Sequence, residues 1–364
     1  METVQVDVLI IGAGVVGCAI ASKISEKFEG QSIVIIEAGP RIAEGVTSRN
    51  SGVIHAGIYY KPGSLKADLC IRGNQLLYEW ALKKNVAHKK MGKLIIARGK
   101  QQEVGLHHIF ENAKASGAPG LRLVGKNEIT ELEPEISGDE AIFSSETGIV
   151  DPFELSQSLL YDAQNSGATL MTSCKALGIE CLSSGDYQIT TNQCIINAPV
   201  VINSAGLNAD EVSNFAGIKK YEIYPCRGDY FNLKSVKKFT RLIYPVKDPS
   251  DPGLGVHLTI DLAGQYKLGP DVEYVLRKDD FTSATEKLER FRLAAENLLG
   301  PIPSDALSYN SCGIRPKLRS PLEKVEKDFV ISQDKPGFIN LVGIESPGLT
   351  ASLAIAEKVC DALS

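Results

Sequence analysis

The chain has 364 residues, a formal net charge of −5, 43% hydrophobic residues and 23% charged residues. That length exceeds one small core and predicts two domains or one large composite, with a composition ordinary for a globular enzyme. The negative balance and dispersed Lys and Arg speak against nucleic-acid binding, and no apolar run is long enough to span a bilayer.

The N-terminus enters its first strand at once, without a secretory h-region or an Arg-rich transit segment, so a cytoplasmic protein is expected. A peripheral membrane contact stays open, although no amphipathic basic helix stands out. The eight cysteines (Cys18, Cys70, Cys174, Cys181, Cys194, Cys226, Cys312 and Cys360) have no C-x-x-C spacing and no histidine cluster beside them. Reduced, buried thiols and no metal site are expected.

Val6–Ile11 reads as a short buried strand, followed by Gly12-Ala-Gly14-Val15-Val-Gly17 and a helical run from Cys18 to Ile24. Ser32–Glu37 reads as a second strand ending in an acid. Strand, glycine turn, helix, strand and terminal carboxylate are the context a dinucleotide site needs. Gly12 permits the turn, Gly14 lets backbone approach a pyrophosphate, and Gly17 lets the helix pack on the sheet. The helix N-terminus from Val15 offers N–H groups to phosphates. Glu37, followed by Ala38, stands where a carboxylate holds a ribose hydroxyl. These residues alone leave NAD, NADP and FAD open.

Residues 45–57 are dense in small and hydrogen-bonding types, including Ser48, Arg49, Asn50, Ser51 and Gly52, which suits close backbone approach to a large ligand. Ser64 caps a predicted helix through Trp80. Residues 92–97 read as a strand, a polar helix runs to about residue 116, and a short capped turn covers 127–134. His107 and His108, adjacent on that polar helix, read as surface or packing residues. Asp151 and Pro152 restart the chain as N-cap and first residue of a helix to about Gln164. Strands alternate over 168–196, and Pro199–Ser204 is a buried strand turning at Ala205-Gly206 into a helix near Asn208. Residues 220–311 are strand-rich with one helix near 283–299. Phe338–Gly343 is a last strand, and Gly348 opens the final helix.

Nucleotide-binding character therefore falls at the start, the middle and the end of the chain. A discontinuous cofactor domain (1–85, 145–218 and 320–364) is expected, with a substrate domain (86–144 and 219–319) inserted into it.

Three stretches, 45–57, Ile202–Asp210 and Gly343–Thr350, resemble the D-amino-acid-oxidase-like FAD oxidoreductases, which include glycine oxidase, sarcosine oxidase and glycerol-3-phosphate dehydrogenase. Closer blocks are Ser51–Ala67, Gly148–Pro152, Leu254–Thr259, Leu268–Pro270 and Gly313–Leu318. They look like the L-2-hydroxyglutarate dehydrogenase/oxidase branch, and the likeness runs essentially from end to end. The chain is shorter than typical members, and Leu268-Gly-Pro270-Asp271 departs from the Gly-Pro-Asn-Ala usual there.

The resemblance implies an α/β fold: a discontinuous Rossmann-like FAD-binding domain with an inserted α+β substrate domain on a mostly antiparallel sheet. It implies FAD as the cofactor; a nearby histidine can carry the flavin covalently in relatives, and non-covalent binding is expected here. Ser48, Arg49 and Asn50 would hold the pyrophosphate and ribityl chain, and the Lys175-Ala176 backbone would approach the adenosine. Gly348, Leu349 and Thr350 would bring a helix N-terminus to the flavin N1–C2=O edge.

Oxidation of a 2-hydroxy acid requires a grip on the carboxylate, a base for the hydroxyl proton, and flavin N5 facing the substrate carbon. Arg315 is the expected carboxylate clamp because a guanidinium fork matches a carboxylate bidentately. His257, in an apolar strand, is the expected base. His55 is expected beside the flavin, polarising substrate. Tyr60, Tyr244 and Arg227 are further substrate candidates, with the tyrosines able to orient a second carboxylate. The expected partners are a small hydroxy acid and an electron acceptor that the residues leave open among oxygen, a quinone and a carrier protein. An amino-acid or amine oxidase, or a glycerol-3-phosphate dehydrogenase, is the alternative on the same fold.

Overall fold

The computed structural model describes residues 2–235, 237–246 and 255–363. Leu254, the first residue of one block above, lies outside them. A six-stranded sheet forms the centre, in spatial order Thr169–Met171, Ile33–Ile36, Val8–Ile11, Val200–Asn203, Phe338–Val342 and Val330–Lys335. The first five are parallel, and the last, Val330–Lys335, is antiparallel to its neighbour. Val8–Ile11 and Ile33–Ile36 are buried along their whole length. Strands covered on both faces need continuous rather than alternating apolar runs. Three helices cover one side, with Val15–Lys27 packed against both Pro152–Asn165 and Gly348–Ala362. The Ser64 hydroxyl caps the helix Leu65–Lys84 by accepting from the Ala67 N–H at 3.2 Å. Asp151 caps Pro152–Asn165 by accepting from Phe153 and Glu154 at 2.8 and 2.9 Å.

A nine-stranded sheet uses residues 93–144 and 224–317. Its pairs are antiparallel except Leu242–Pro245 beside Lys93–Ala97, which run parallel. The helix expected near 283–299 is a 3-10 turn, Thr285–Lys287, followed by Leu288–Leu299. Two smaller sheets, of four and three strands, complete the α/β fold. Among the described residues no helix is long and apolar enough to cross a membrane.

The glycine turn shows how tightly the first helix sits. Gly12 has φ +104°, in the region that favours glycine. A Cβ on Gly17 would lie 2.0 Å from the Gly12 carbonyl oxygen and 2.8 Å from Ser204 Oγ. In an open helix Gly17→Ala would stabilise by about 1 kcal/mol, but here overpacking of about 1–3 kcal/mol opposes it. The expected net result is a Tm lowered by several degrees, read by thermal melting. A Tm at or above that of the unsubstituted protein would show that the turn has room to spare.

Candidate active site

The C-terminal ends of the parallel strands open into one cavity of about 1600 Å³. In open α/β sheets this edge is where ligands bind, and the volume exceeds the roughly 300–1,000 Å³ of ordinary small-molecule pockets. Gly12, Gly14, Val15, Glu37, Ala38, Ala205 and Gly206 line the sheet side. Gly206 has φ +56°, and a Cβ there would meet only Val46 Cγ2 at 3.9 Å, so it opens onto the cavity. The Glu37 carboxylate accepts the Ala13 N–H at 2.9 Å and the Gly39 N–H at 2.8 Å. It therefore pins the glycine turn as well as facing the cavity. Lys175 and Ala176 line the same space.

The loop after the second strand differs in detail from expectation. Ser48 does not line the cavity; its hydroxyl donates to the Glu44 carbonyl of its own turn at 3.1 Å. Thr47 lines it instead, and Thr47 Oγ1 accepts the first helical N–H, that of Val15, at 3.1 Å. Asn50 and Ser51 are on the wall, but the Asn50 amide is engaged by the Thr47 carbonyl at 2.6 Å and the Gly52 N–H at 2.7 Å. Gly52 lies off the wall, and a Cβ there would meet the Val150 carbonyl at 2.7 Å, so its role is packing. Arg49 lines the cavity and stacks on Phe281, 3.9 Å from the ring centre. Gly348 and Leu349 line it too. Thr350 is set behind them, fully buried, accepting the His55 N–H at 3.0 Å and donating to the Val53 carbonyl at 3.3 Å.

The nine-stranded sheet supplies the opposite wall. Arg315, on the strand Leu307–Lys317, donates from Nη2 to the Asp271 carbonyl at 2.6 Å. Among the described residues no carboxylate pairs with it, so its guanidinium keeps donor capacity on the cavity side. Gly228 makes room for that head, since a Cβ there would lie 2.3 Å from Arg315 Nη2. Arg227 is the clear correction. Its guanidinium is locked on the fully buried Asp229 at 2.7 Å and on the Thr282 carbonyl, away from the cavity. Strand alternation explains this: Gly228 and Tyr230 face the cavity, so Arg227 and Asp229 face away.

His257 lines the cavity and is 5% exposed. Its Nδ1 lies 2.9 Å from the Gly255 carbonyl, which requires Nδ1–H as donor and leaves Nε2 with its lone pair. Burial chiefly, then the charges of Lys93 and Arg315, outweigh that hydrogen bond and push its pKa down to about 3. Tyr244 stacks on His257 at 3.8 Å between ring centres. His55 Nε2 is 3.4 Å from Ser346 Oγ, which in turn is 3.4 Å from the Tyr60 hydroxyl. Burial, Lys93 and His257 push His55 down to about 3 as well.

Several wall and support residues were not foreseen. Lys93 is 1% exposed, with Nζ 4.5 Å from the Tyr244 ring centre and 5.1 Å from that of Tyr59. Burial pushes its pKa down to about 7. A lone cation in the otherwise apolar run Lys93–Ala97 was the visible signal. Lys66, Lys317 and Glu345 also line the cavity.

A family model described as FAD dependent oxidoreductase, DAO, matches residues 7–362. The chain belongs to the DAO family of FAD-dependent oxidoreductases. This oxidoreductase is 34% identical to the mitochondrial L-2-hydroxyglutarate dehydrogenase of Arabidopsis thaliana, over 98% of this chain and 83% of the relative. It is 33% identical to the glycerol 3-phosphate dehydrogenase of Caloramator mitchellensis, over 98% of this chain and 73% of the relative. Among solved structures, the dithionite-reduced L-α-glycerophosphate oxidase of Mycoplasma pneumoniae with FAD bound superposes with a TM-score of 0.88 at 25% identity, covering 98% and 94% of the two chains.

FAD is thus the cofactor of this oxidoreductase, and the cavity suits it on physical grounds. Gly14 and Gly206 leave bare backbone along one wall, a helix N-terminus opens there, and Tyr59 Oη is a buried polar atom without a partner among the described residues. Uncompensated polar atoms in a cavity wall are the mark of a site built for a ligand.

Proposed function

We propose that this oxidoreductase converts an L-2-hydroxy acid, L-2-hydroxyglutarate, to the 2-oxo acid. The observation that carries the reading is an Arg315 guanidinium without a carboxylate partner among the described residues, in the same cavity as a neutral His257 with Nε2 unprotonated. A carboxylate clamp and a base for a hydroxyl are what a hydroxy acid needs.

In this proposal Gly12, Gly14, Val15, Glu37, Ala38, Ala176, Ala205 and Gly206 hold the dinucleotide, and Arg49, Asn50, Ser51, Gly348 and Leu349 flank its flavin half. FAD is held without a covalent bond. When bound it supplies the two-electron oxidising equivalent. The protein does the rest. Arg315 takes the substrate carboxylate in a fork, fixing which face of the carbinol carbon is presented. His257 Nε2 accepts the hydroxyl proton, and Tyr244, stacked on the ring, keeps it in plane. His55, tied through Ser346 to Tyr60, polarises the substrate oxygen. Residues 1–85, 145–218 and 320–364 form the cofactor domain, which also lends His55, Tyr60 and Ser346 to the substrate, and 86–144 and 219–319 form the substrate domain.

The test is anaerobic. The purified yellow protein should bleach on adding L-2-hydroxyglutarate. Bleaching by glycerol 3-phosphate or by an amino acid, with none from L-2-hydroxyglutarate, would replace this reading with that of the other relatives.

A further inference from the structure

We propose that Lys66 and Lys317, bridged by the buried Glu345, form a second carboxylate site that makes this a dicarboxylate enzyme; the inference rests on the hydroxy-acid reading above. Lys66 Nζ lies 2.9 Å and Lys317 Nζ 3.3 Å from the Glu345 carboxylate, and all three groups line the cavity with Arg315.

Charge is the first reason. Lys317 also pairs with Glu326 at 3.0 Å, and Glu326 is shared with Arg319 at 3.1 Å. Asp328, the remaining acid nearby, uses its oxygens on the N–H groups of Leu65 and Lys66 at the start of their helix. Among the described residues Arg315, Lys317, Arg319 and Lys66 therefore face three carboxylates, Glu345, Glu326 and Asp328, which leaves one positive charge for a ligand. Burial alone would push the Glu345 carboxyl up, but Lys66 and Lys317 hold it below its ordinary value, so it stays charged. A structural network would be expected to close its own balance, because unpaired buried charge is costly. A ligand carboxylate on Arg315 closes this one, and Lys66 and Lys317, whose ammonium groups keep N–H donors beyond those that Glu345 and Glu326 take, can hold a second.

Spacing is the second reason. Arg315 and Lys317 are two apart on one strand and face the same side, about 6.6 Å along it. Four carbon–carbon bonds of about 1.5 Å place the carboxyl carbons of an extended five-carbon diacid about 5 Å apart. With Arg315 on the carboxylate beside the hydroxyl, Lys317 stands where the far one ends, and Lys66 meets it from the helix side.

The test uses the FAD-loaded enzyme and two substrates of equal length, L-2-hydroxyglutarate and L-2-hydroxyvalerate, which carries a methyl in place of the far carboxylate. Lys317→Gln and Lys66→Gln should each lower the ratio of kcat/KM for the diacid over the monoacid by about tenfold or more. Lys317→Arg should keep that ratio within about threefold, with flavin content reporting on folding. Equal losses on both substrates would make the cluster structural and overturn the proposal.

Glutarate, which has no hydroxyl to oxidise, separates this idea from its parent. Its binding, followed through the flavin absorbance, should weaken by about tenfold or more in Lys317→Gln. That result stands even if L-2-hydroxyglutarate fails to bleach the flavin, in which case only the parent reading falls. Glutarate binding that is absent in the unsubstituted enzyme, or unchanged in Lys317→Gln, overturns the second site.

Discussion

His257→Ala is expected to slow flavin reduction by L-2-hydroxyglutarate about a hundred- to ten-thousand-fold, the range that general-base help supplies. The variant removes a ring whose Nδ1 is committed to the Gly255 carbonyl, which leaves the lone pair on Nε2. Single-turnover stopped-flow reduction is the measurement, with His55→Ala beside it. A larger loss in His55→Ala would exchange the two roles. Near-normal reduction in both would place the base on another residue.

The pH profile carries the same prediction with its sign. A base must be unprotonated to act, so activity is present above its pKa and is lost as pH falls through it. With His257 depressed to about 3, the acid limb of kcat/KM should lie below about pH 5 rather than near the ordinary 6.5. A carboxylate docking on Arg315 cancels part of the positive field that depresses the ring. The limb of kcat, which reports the loaded enzyme, should therefore lie above that of kcat/KM. An acid limb of kcat/KM near 6.5 would remove His257 as the base.

Arg315→Leu is the second large effect. Losing one partner of a buried charge-assisted pair costs about 2–5 kcal/mol, or about thirty- to several-thousand-fold in kcat/KM. Most of it should appear as raised KM, because the fork binds a carboxylate that does not itself react. Arg315→Lys keeps the charge but loses the fork, so an intermediate loss is expected. If Arg315→Leu left KM unaltered, the substrate carboxylate would have to sit elsewhere in the cavity.

Much of this was legible in the residues. The glycine turn, the caps at Ser64 and Asp151, and the buried runs read at 6–11, 32–37 and 199–204 rest on local chemistry, and the structure has strands within those runs at 8–11, 33–36 and 200–203. What failed was phase. Ser48 and Thr47 are neighbours in a 3-10 turn, and nothing local says which hydroxyl turns to the cavity. Arg227 was readable in principle: two residues from Asp229 on one strand, it had a partner on its own face. Lys317 carried a signal as well, two positions beyond Arg315. Lys93 announced itself as an anomaly, but the rings over it come from Tyr59 and Tyr244, far away in the chain. Sequence spacing cannot report such meetings.

The order of the central sheet also governs when this protein can fold. Val8–Ile11 is flanked by Ile33–Ile36 on one side and by Val200–Asn203 on the other. At roughly 5–20 residues per second, the ribosome delivers that second neighbour about ten to forty seconds after the first strand emerges. Phe338–Val342 and the Thr350 hydroxyl that ties down His55 arrive later still. Throughout synthesis the nascent chain therefore carries an open parallel edge of apolar residues, the kind of surface that other chains pair with. The cavity is among the last things this polypeptide completes, and the waiting strand is what chaperones would have to guard until then.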